Sequence, residues 1–354
     1  MSGRSARHWS TIWSARSGCF SGMDWNIPSA ESIIPSMETM SGKKLGGLAL
    51  VAVTAIAPIV WGSTYAVTHL FLPADRPLFA GAMRVLPVGL LMLAWHRRLP
   101  RGSWWWRSLV LGSLTMGLFF GLLYVAAVRL PSGLGATLTA LSPMVTMVLA
   151  WLFLRERAAR ATLLASVVGA AGVLLLVLQN RSQGSVDLIG VLASLGAVTS
   201  ASAGFVLTKR WSADENVIVV TSWQLVAGGL LLTPVALLVE GRPPQLPLSG
   251  WLALAYLGLV GSGVAYVAWF RGLASMSAGA VAVIGLLNPV AGTLLGVVLL
   301  GEPFGPVHLL GMGLVLGSVL LAQPQLRSAL RKGTRQRTPS TRHTVDVCPS
   351  TTSS

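Results

Sequence analysis

Charge is what this sequence has least of. Of its 354 residues only 10% are Asp, Glu, Lys or Arg, and acidic residues number 11 against 26 Lys and Arg. A soluble domain normally carries about 25% charged residues, because its surface must stay in water. A soluble fold of this length is therefore excluded. Cysteine is almost absent as well. Cys19 and Cys348 stand in the two tails, far from any metal-ligating cluster, so neither a disulfide framework nor a zinc site is supported. No grouping of His, Asp and Glu and no Ser–His–Asp constellation supplies a nucleophile with its base. The chain does not read as an enzyme, and neither a metal nor a cofactor is expected.

Apolar residues are what is abundant: 53% of the chain, with a mean hydropathy of +0.69. They fall in runs of roughly 18–24, long enough to cross a hydrocarbon core of about 30 Å as helices. Ten such spans are expected, near 46–69, 77–95, 107–128, 132–154, 161–179, 187–208, 217–239, 250–270, 277–300 and 307–323. The fold class is an all-α polytopic membrane protein. The links are short, so neighbouring spans run antiparallel and no loop holds a soluble domain.

The net charge of +15 is topological. Arg4, Arg7, Arg16, Lys43, Lys44, Arg97, Arg98, Arg101, Arg107, Arg155, Arg157, Arg160, Lys209, Arg210 and Arg271 all fall on the N-terminal side of the membrane. The tail adds Arg327, Arg331, Lys332, Arg335, Arg337 and Arg342 to that side, leaving only Arg76, Arg129, Arg181 and Arg242 opposite. An excess of Lys and Arg marks the cytoplasmic side. Both termini are thus expected in the cytoplasm of a cell-membrane (inner or plasma membrane) protein, and the charge needs no nucleic acid. Trp104, Trp105 and Trp106 read as an aromatic belt at headgroup level. Residues 1–41 read as a disordered tail; Met40, followed by Ser-Gly-Lys-Lys and the first span, reads as the true start. Residues 326–354 read as a basic cytoplasmic tail.

The chain repeats itself. Ser142–Glu156 (SPMVTMVLAWLFLRE) is echoed by Asn288–Glu302 (NPVAGTLLGVVLLGE), with Pro143 to Pro289 and Glu156 to Glu302 at one offset of 146 residues. The same offset pairs Trp105 with Trp251, Gly112 with Gly258 and Tyr124 with Phe270. Upstream it becomes 140, pairing Thr68 with Thr208, Arg84 with Gln224 and Gly89 with Gly229. Residues 42–180 and 181–325 are therefore two five-helix repeats. Because five is odd, the second enters the membrane from the opposite face. Such inverted repeats exchange conformations around a midplane site at their interface, formed where helices are interrupted.

The candidate residues follow from that expectation. Pro58, Pro143 and Pro289 are read as helix breaks, since each proline removes a backbone donor. Ser142 and Asn288 precede two of them and can face a solute. Arg84 lies about 10 Å into the second span by helix rise, where a cation faces a bundle interior or a watery cavity. It is read as meeting an anionic part of the solute. Gln224 is its repeat partner, beside Trp223. Trp61, Tyr65, Tyr124 and Tyr266 supply aromatic walls with polar handles, the make-up of a small-molecule site. Glu156 and Glu302 are read as helix-end residues on opposite faces. Gly117/Gly121, Gly292/Gly296 and Gly313/Gly317 have the spacing of close helix packing, which also suits a homodimer contact.

With ten spans in two inverted halves, WGSTY at 61–65, and the SP…RE and NP…GE pairs closing spans 4 and 9, the chain resembles the EamA-type drug/metabolite transporter family over about residues 45–324. The resemblance implies an inner-membrane carrier that exports or exchanges small metabolites, often amino acids or related amphipathic compounds, around a central cavity. Trp61, Tyr65, Pro143 and Pro289 match the family pattern. The first repeat departs from it, with Arg-Glu where the second has Gly-Glu. The partners expected are a small-molecule solute and membrane lipid. The other function class considered is a non-transporting assembly or lipid-interacting protein that grips anionic lipid or a partner through its basic tail.

Overall fold

The computed structural model describes residues 46–130, 138–178, 187–301 and 304–324. Both tails, Glu302 and the side chain of Tyr65 lie outside what it describes. Among the described residues are ten helical spans. They are α1 (Gly47–Phe71), α2 (Pro77–His96), α3 (Trp104–Gly112, then Leu118–Arg129), α4 (Ser142–Leu154) and α5 (Arg160–Leu178), followed by α6 (Leu188–Trp211), α7 (Val217–Glu240), α8 (Leu248–Gly258, then Ala265–Ser275), α9 (Ala278–Ile284, then Leu287–Leu300) and α10 (Pro306–Ala322). Eight of these are long and apolar enough to cross a membrane; α4 and α10 are shorter apolar helices.

The packing repeats under one exchange, α1–α5 for α6–α10. The most extensive contacts are α2 with α7 and α5 with α10, each helix against its own counterpart. Next come α1 with α9, matched by α6 with α4, and α1 with α8, matched by α6 with α3. An axis relating two halves must pass where equivalent elements touch, so it runs through the α2–α7 and α5–α10 contacts.

Missing side chains make the first of these contacts possible. A Cβ on Gly89 would lie 2.8 Å from the backbone nitrogen of Val226, and one on Gly229 would lie 2.6 Å from the Cβ of Leu86. Gly89 and Gly229 are equivalent in the repeat, as are Leu86 and Val226, so one contact is made twice. In the other matched pair, Gly62 approaches the Asn288 carbonyl and Gly292 nitrogen of α9, whereas its equivalent Ser202 receives a 3.0 Å hydrogen bond from Thr146 of α4. Of the Gly-x-x-x-Gly glycines of the sequence, Gly292 takes part in these contacts, as the surface that Gly62 approaches. Gly121, Gly313 and Gly317 have open space where a Cβ would stand.

Both repeated prolines sit at helix starts rather than inside helices. Ala140–Leu141 forms a turn before α4, and Pro143 occupies that helix's first turn. Gly285–Leu286 breaks α9, and Pro289 follows in the first turn of its second part. The first four amides of a helix have no intrahelical acceptor, so a proline there forfeits no helical bond. Pro58, by contrast, lies within α1, which is helical on both sides of it.

The Arg-Glu and Gly-Glu endings have one backbone explanation. Arg155 closes α4 at φ 58° and Gly301 closes α9 at φ 68°, both left-handed caps. Glycine takes that conformation freely, whereas a side chain strains it by about 1–2 kcal/mol. Arg155 is exposed, so replacing it loses no packing.

Two predictions follow from the packing. Arg155→Gly should raise the melting temperature in detergent, by an amount equivalent to about 0.5–1 kcal/mol once the extra unfolded-state freedom of glycine is subtracted. A fall would mean that the cap is held by the arginine side chain. Gly229→Leu should cost about 1–3 kcal/mol or more by overpacking α2 against α7, while Gly313→Leu should be near neutral. Equal effects of the two would contradict the assigned contact.

Candidate functional site

Helices α3 and α8 each contain a short π-helical segment, Ser113–Gly117 and Leu259–Val264, at matching repeat positions. A π segment inserts a residue into the helical ladder and leaves a carbonyl without its usual partner. In a membrane that carbonyl must be satisfied by a neighbour. In α3, Ser200 of α6 donates to the Leu114 carbonyl at 2.7 Å. In α8, Trp61 of α1 donates from Nε1 to the Gly261 carbonyl at 3.0 Å, and Arg84 of α2 donates from Nη2 to the same oxygen at 3.2 Å.

Arg84 is thereby held deep in the bundle. It is 7% exposed. Its Nε donates to Ser262 Oγ at 3.2 Å, and its guanidinium carbon lies 5.6 Å from the centre of the Phe120 ring. Burying a cation is costly unless such donors and π faces receive it. A Cβ at Gly261 would come within 3.1 Å of Arg84 Nη2, so a side chain there would crowd the guanidinium.

An aromatic wall adjoins this cation. Trp61 packs on Tyr266 at 5.1 Å and on Trp269 at 5.4 Å; Phe205 packs on Trp269 at 5.6 Å, and Tyr266 on Phe270 at 5.8 Å. Two residues along α1, Ser63 Oγ lies 2.8 Å from the Tyr256 hydroxyl. Asn288 joins from α9, its backbone carbonyl against Gly62, the neighbour of Trp61. So α1, α2, α8 and α9 bring Trp61, Arg84, Tyr266 and Asn288 to one region.

The structure places the other sequence candidates elsewhere. Tyr124 packs with Leu78, Ala82, Leu232 and Ala236 between α3, α2 and α7. Trp223 stacks on Trp104 at 5.4 Å and donates from Nε1 to the Arg98 carbonyl at 2.7 Å, which pins a helix end to a link. Gln224 is fully buried on the far side of the axis from Arg84, with its Oε1 3.4 Å from Thr208 Oγ1 and its Nε2 unpartnered among the described residues. Ser142 is half-buried at the start of α4, beside the buried Pro143. Tyr65 lies on α1 one turn beyond Trp61.

Glu156 has two specific partners. Its Oε1 pairs with Lys209 Nζ at 2.6 Å, and its Oε2 accepts from the Ala278 amide at 3.0 Å, at the positive N-terminus of α9. Lys209 also donates to the Met276 carbonyl at 2.5 Å. One carboxylate thus ties together the ends of α4, α6 and α9 on one face of the membrane. A carboxylate not singled out in the sequence does the same on the other face. Glu240, the last residue of α7, accepts from the amides of Leu78 at 2.6 Å and Phe79 at 2.8 Å at the start of α2, while Arg76 donates to its carbonyl. Beside it, a cleft of about 170 Å³ opens between α2 and α7, lined by Arg76, Thr233, Glu240 and Arg242 among others. On this same face Asp187, the N-cap of α6, accepts from Arg129 at 2.9 Å and from Ile189 at 2.8 Å, and the Arg129 bond holds its carboxyl below the usual value of 3.8.

Comparison with known proteins agrees with this architecture. The EamA-like transporter family matches residues 47–178 and 188–322, which are α1–α5 and α6–α10. Protein PecM of Dickeya dadantii is 36% identical over 269 residues, spanning 75% of this chain and 90% of PecM. The Bacillus subtilis transporter YwfM is 28% identical over 270 residues, 75% of this chain and 90% of its own. The Escherichia coli inner membrane transporter YedA is 27% identical over 270 residues, 74% of this chain and 87% of its own. A solved crystal structure shares the fold, with a TM-score of 0.69 over 79% of this chain and 98% of its own at 21% identity. Matched along both halves by one family, the chain belongs to the EamA-like transporter family and is a membrane transporter.

Proposed function

We propose that the chain is a secondary carrier that exports or exchanges a small amphipathic metabolite, such as an amino acid or a related compound. The observation that carries this reading is the convergence of Arg84 and Trp61 on the Gly261 carbonyl beside the Tyr266–Trp269 wall. A cation at mid-span suits a carboxylate, and the aromatic wall suits an apolar remainder. Asn288 on α9, whose carbonyl lies against Gly62, supplies a polar handle for the rest of the solute.

Alternating access follows from the exchange of halves. The Glu156–Lys209–Ala278 tie joins α4 of the first half to α6 and α9 of the second on one face; the Glu240 tie joins α7 to α2 on the other. Rocking the halves about the α2–α7 and α5–α10 contacts releases one tie while the other holds. Glu156 stands at a helix end, already committed to Lys209 and the α9 terminus, and Glu240 likewise to α2. We therefore favour exchange or facilitated diffusion over proton antiport. The face carrying Glu156, Arg97, Arg98, Arg101 and Arg107 is the cytoplasmic one in this reading, with both termini on that side of the inner or plasma membrane.

Purified protein in liposomes should show saturable flux of an anionic amphipathic solute, found by thermal stabilisation across a metabolite panel. Arg84→Ala should lower the kcat/KM of that flux by about 10- to 100-fold, the loss of a charge-assisted hydrogen bond. Undiminished flux would remove Arg84 from the site. Sidedness is checked separately. In a background with Cys19 and Cys348 replaced by Ser, Arg242→Cys in whole cells should react with an impermeant maleimide, and Arg157→Cys should react only after permeabilisation. The reverse pattern would invert the assigned topology.

A further inference from the structure

At one end of α3, three tryptophans surround a cation. The guanidinium carbon of Arg107 lies 5.6 Å from the ring centre of Trp104, 5.7 Å from that of Trp106 and 5.7 Å from that of Trp211. The rings hold one another: Trp104 packs on Trp223 at 5.4 Å, and Trp106 meets Trp211 edge-on at 5.1 Å. Trp223 is in turn anchored to the Arg98 carbonyl. The cage therefore joins the α2–α3 link to the starts of α3 and α7 and the end of α6.

An aromatic belt alone does not require this arrangement. The internal repeat provides the comparison. At the equivalent start of α8, Trp251 matches Trp105, but Gly250, Leu252 and Ala253 stand where α3 has Trp104, Trp106 and Arg107. One membrane face has a single tryptophan; the other has a caged arginine.

The charge of Arg107 is only partly answered within the protein. Among the described residues its buried Nε has no hydrogen-bond partner and no carboxylate lies within ion-pair distance of it. Its π contacts attract a cation but neutralise nothing. The α2–α3 link and the α6–α7 corner beside the cage add Arg97, Arg98, Arg101 and Arg210, against Asp214 and Glu215. Next to the cage, Trp105, Trp106 and Leu109 are at least half exposed, an apolar wall at headgroup depth and just below it.

We infer that Arg107 and its tryptophan cage bind the phosphate of an anionic phospholipid, whose acyl chains lie along Trp105 and Leu109. The cation and its arginine neighbours set the preference for a net negative headgroup, and the exposed apolar side chains select a lipid over a free anion. The indoles fix the guanidinium, so the Nη edge is preorganised for two phosphate oxygens.

The test uses full-length protein stripped of lipid in detergent. Phosphatidylglycerol should raise the melting temperature more than phosphatidylcholine does, and inorganic phosphate should give no comparable rise. Arg107→Gln should weaken the apparent affinity for phosphatidylglycerol by at least about fivefold, whereas Arg242→Gln, on the opposite face, should not. Lipid retained in native mass spectrometry gives a readout independent of stability, where Arg107→Gln should lose one bound phosphatidylglycerol. The inference is overturned if wild type and Arg107→Gln keep the same phosphatidylglycerol affinity and retention. It is also overturned if the two lipids act alike, or if inorganic phosphate reproduces the effect.

Discussion

The site depends on one backbone carbonyl. The π segment of α8 displaces the Gly261 oxygen from the helical ladder, and in a membrane no water stands ready to receive it. Trp61 and Arg84 therefore reach it from two other helices. That one acceptor fixes the rotation of α1 and α2 against α8. It holds a guanidinium at mid-span and orients the indole that carries the Tyr266 and Trp269 wall. The cost of burying a cation and the cost of an unsatisfied carbonyl offset each other in a single contact.

The two halves share a backbone but differ in chemistry. Both have a π segment, a glycine before it (Gly112 and Gly258), a turn before a repeated proline, and a left-handed cap before a glutamate. The side chains break this symmetry where function requires a single site. Arg84 faces the π segment of α8, while its counterpart is the neutral Gln224; Trp61 meets one freed carbonyl, while Ser200 meets the other. Arg107 has Ala253 as its counterpart. A symmetric frame can exchange its two ends; in the proposed reading, asymmetric side chains give that exchange one binding region, and Arg107 gives it one lipid face.

Much of the fold was legible in the sequence, because its signals are additive along the chain. Hydropathy runs, charge asymmetry and a constant offset each average over many residues, and they gave the ten spans and the duplication. The repeated prolines stand where α4 begins and where α9 resumes after its break, each in the first turn of a helix that follows a turn. Contacts were less legible. Of the Gly-x-x-x-Gly glycines, Gly121, Gly313 and Gly317 face open space, while the close approaches are made by Gly62 against Gly292, and by Gly89 and Gly229, which have no such spacing. The π segments carry no compositional signal, so nothing in the sequence singles out Gly261 and Ser262, although the pairing of Gly112 with Gly258 stands just before them. Trp61, Arg84 and Tyr266 lie together, with Asn288 near Gly62, whereas Trp223 packs on Trp104 and Tyr124 between α2, α3 and α7. Glu240 carries no signal either, because a glutamate ending a hydrophobic run reads as an ordinary boundary.

The central claim is that solute binds where Arg84 and Trp61 meet the α8 π segment. The most direct test is a structure of the protein determined with a solute that stabilises it. The account predicts density between Arg84, Trp61 and Tyr266, with the solute's anionic group on the guanidinium and its apolar part on the indole. Density confined instead to the cleft between Arg76 and Glu240, with the Arg84–Gly261 contact unchanged, would contradict it.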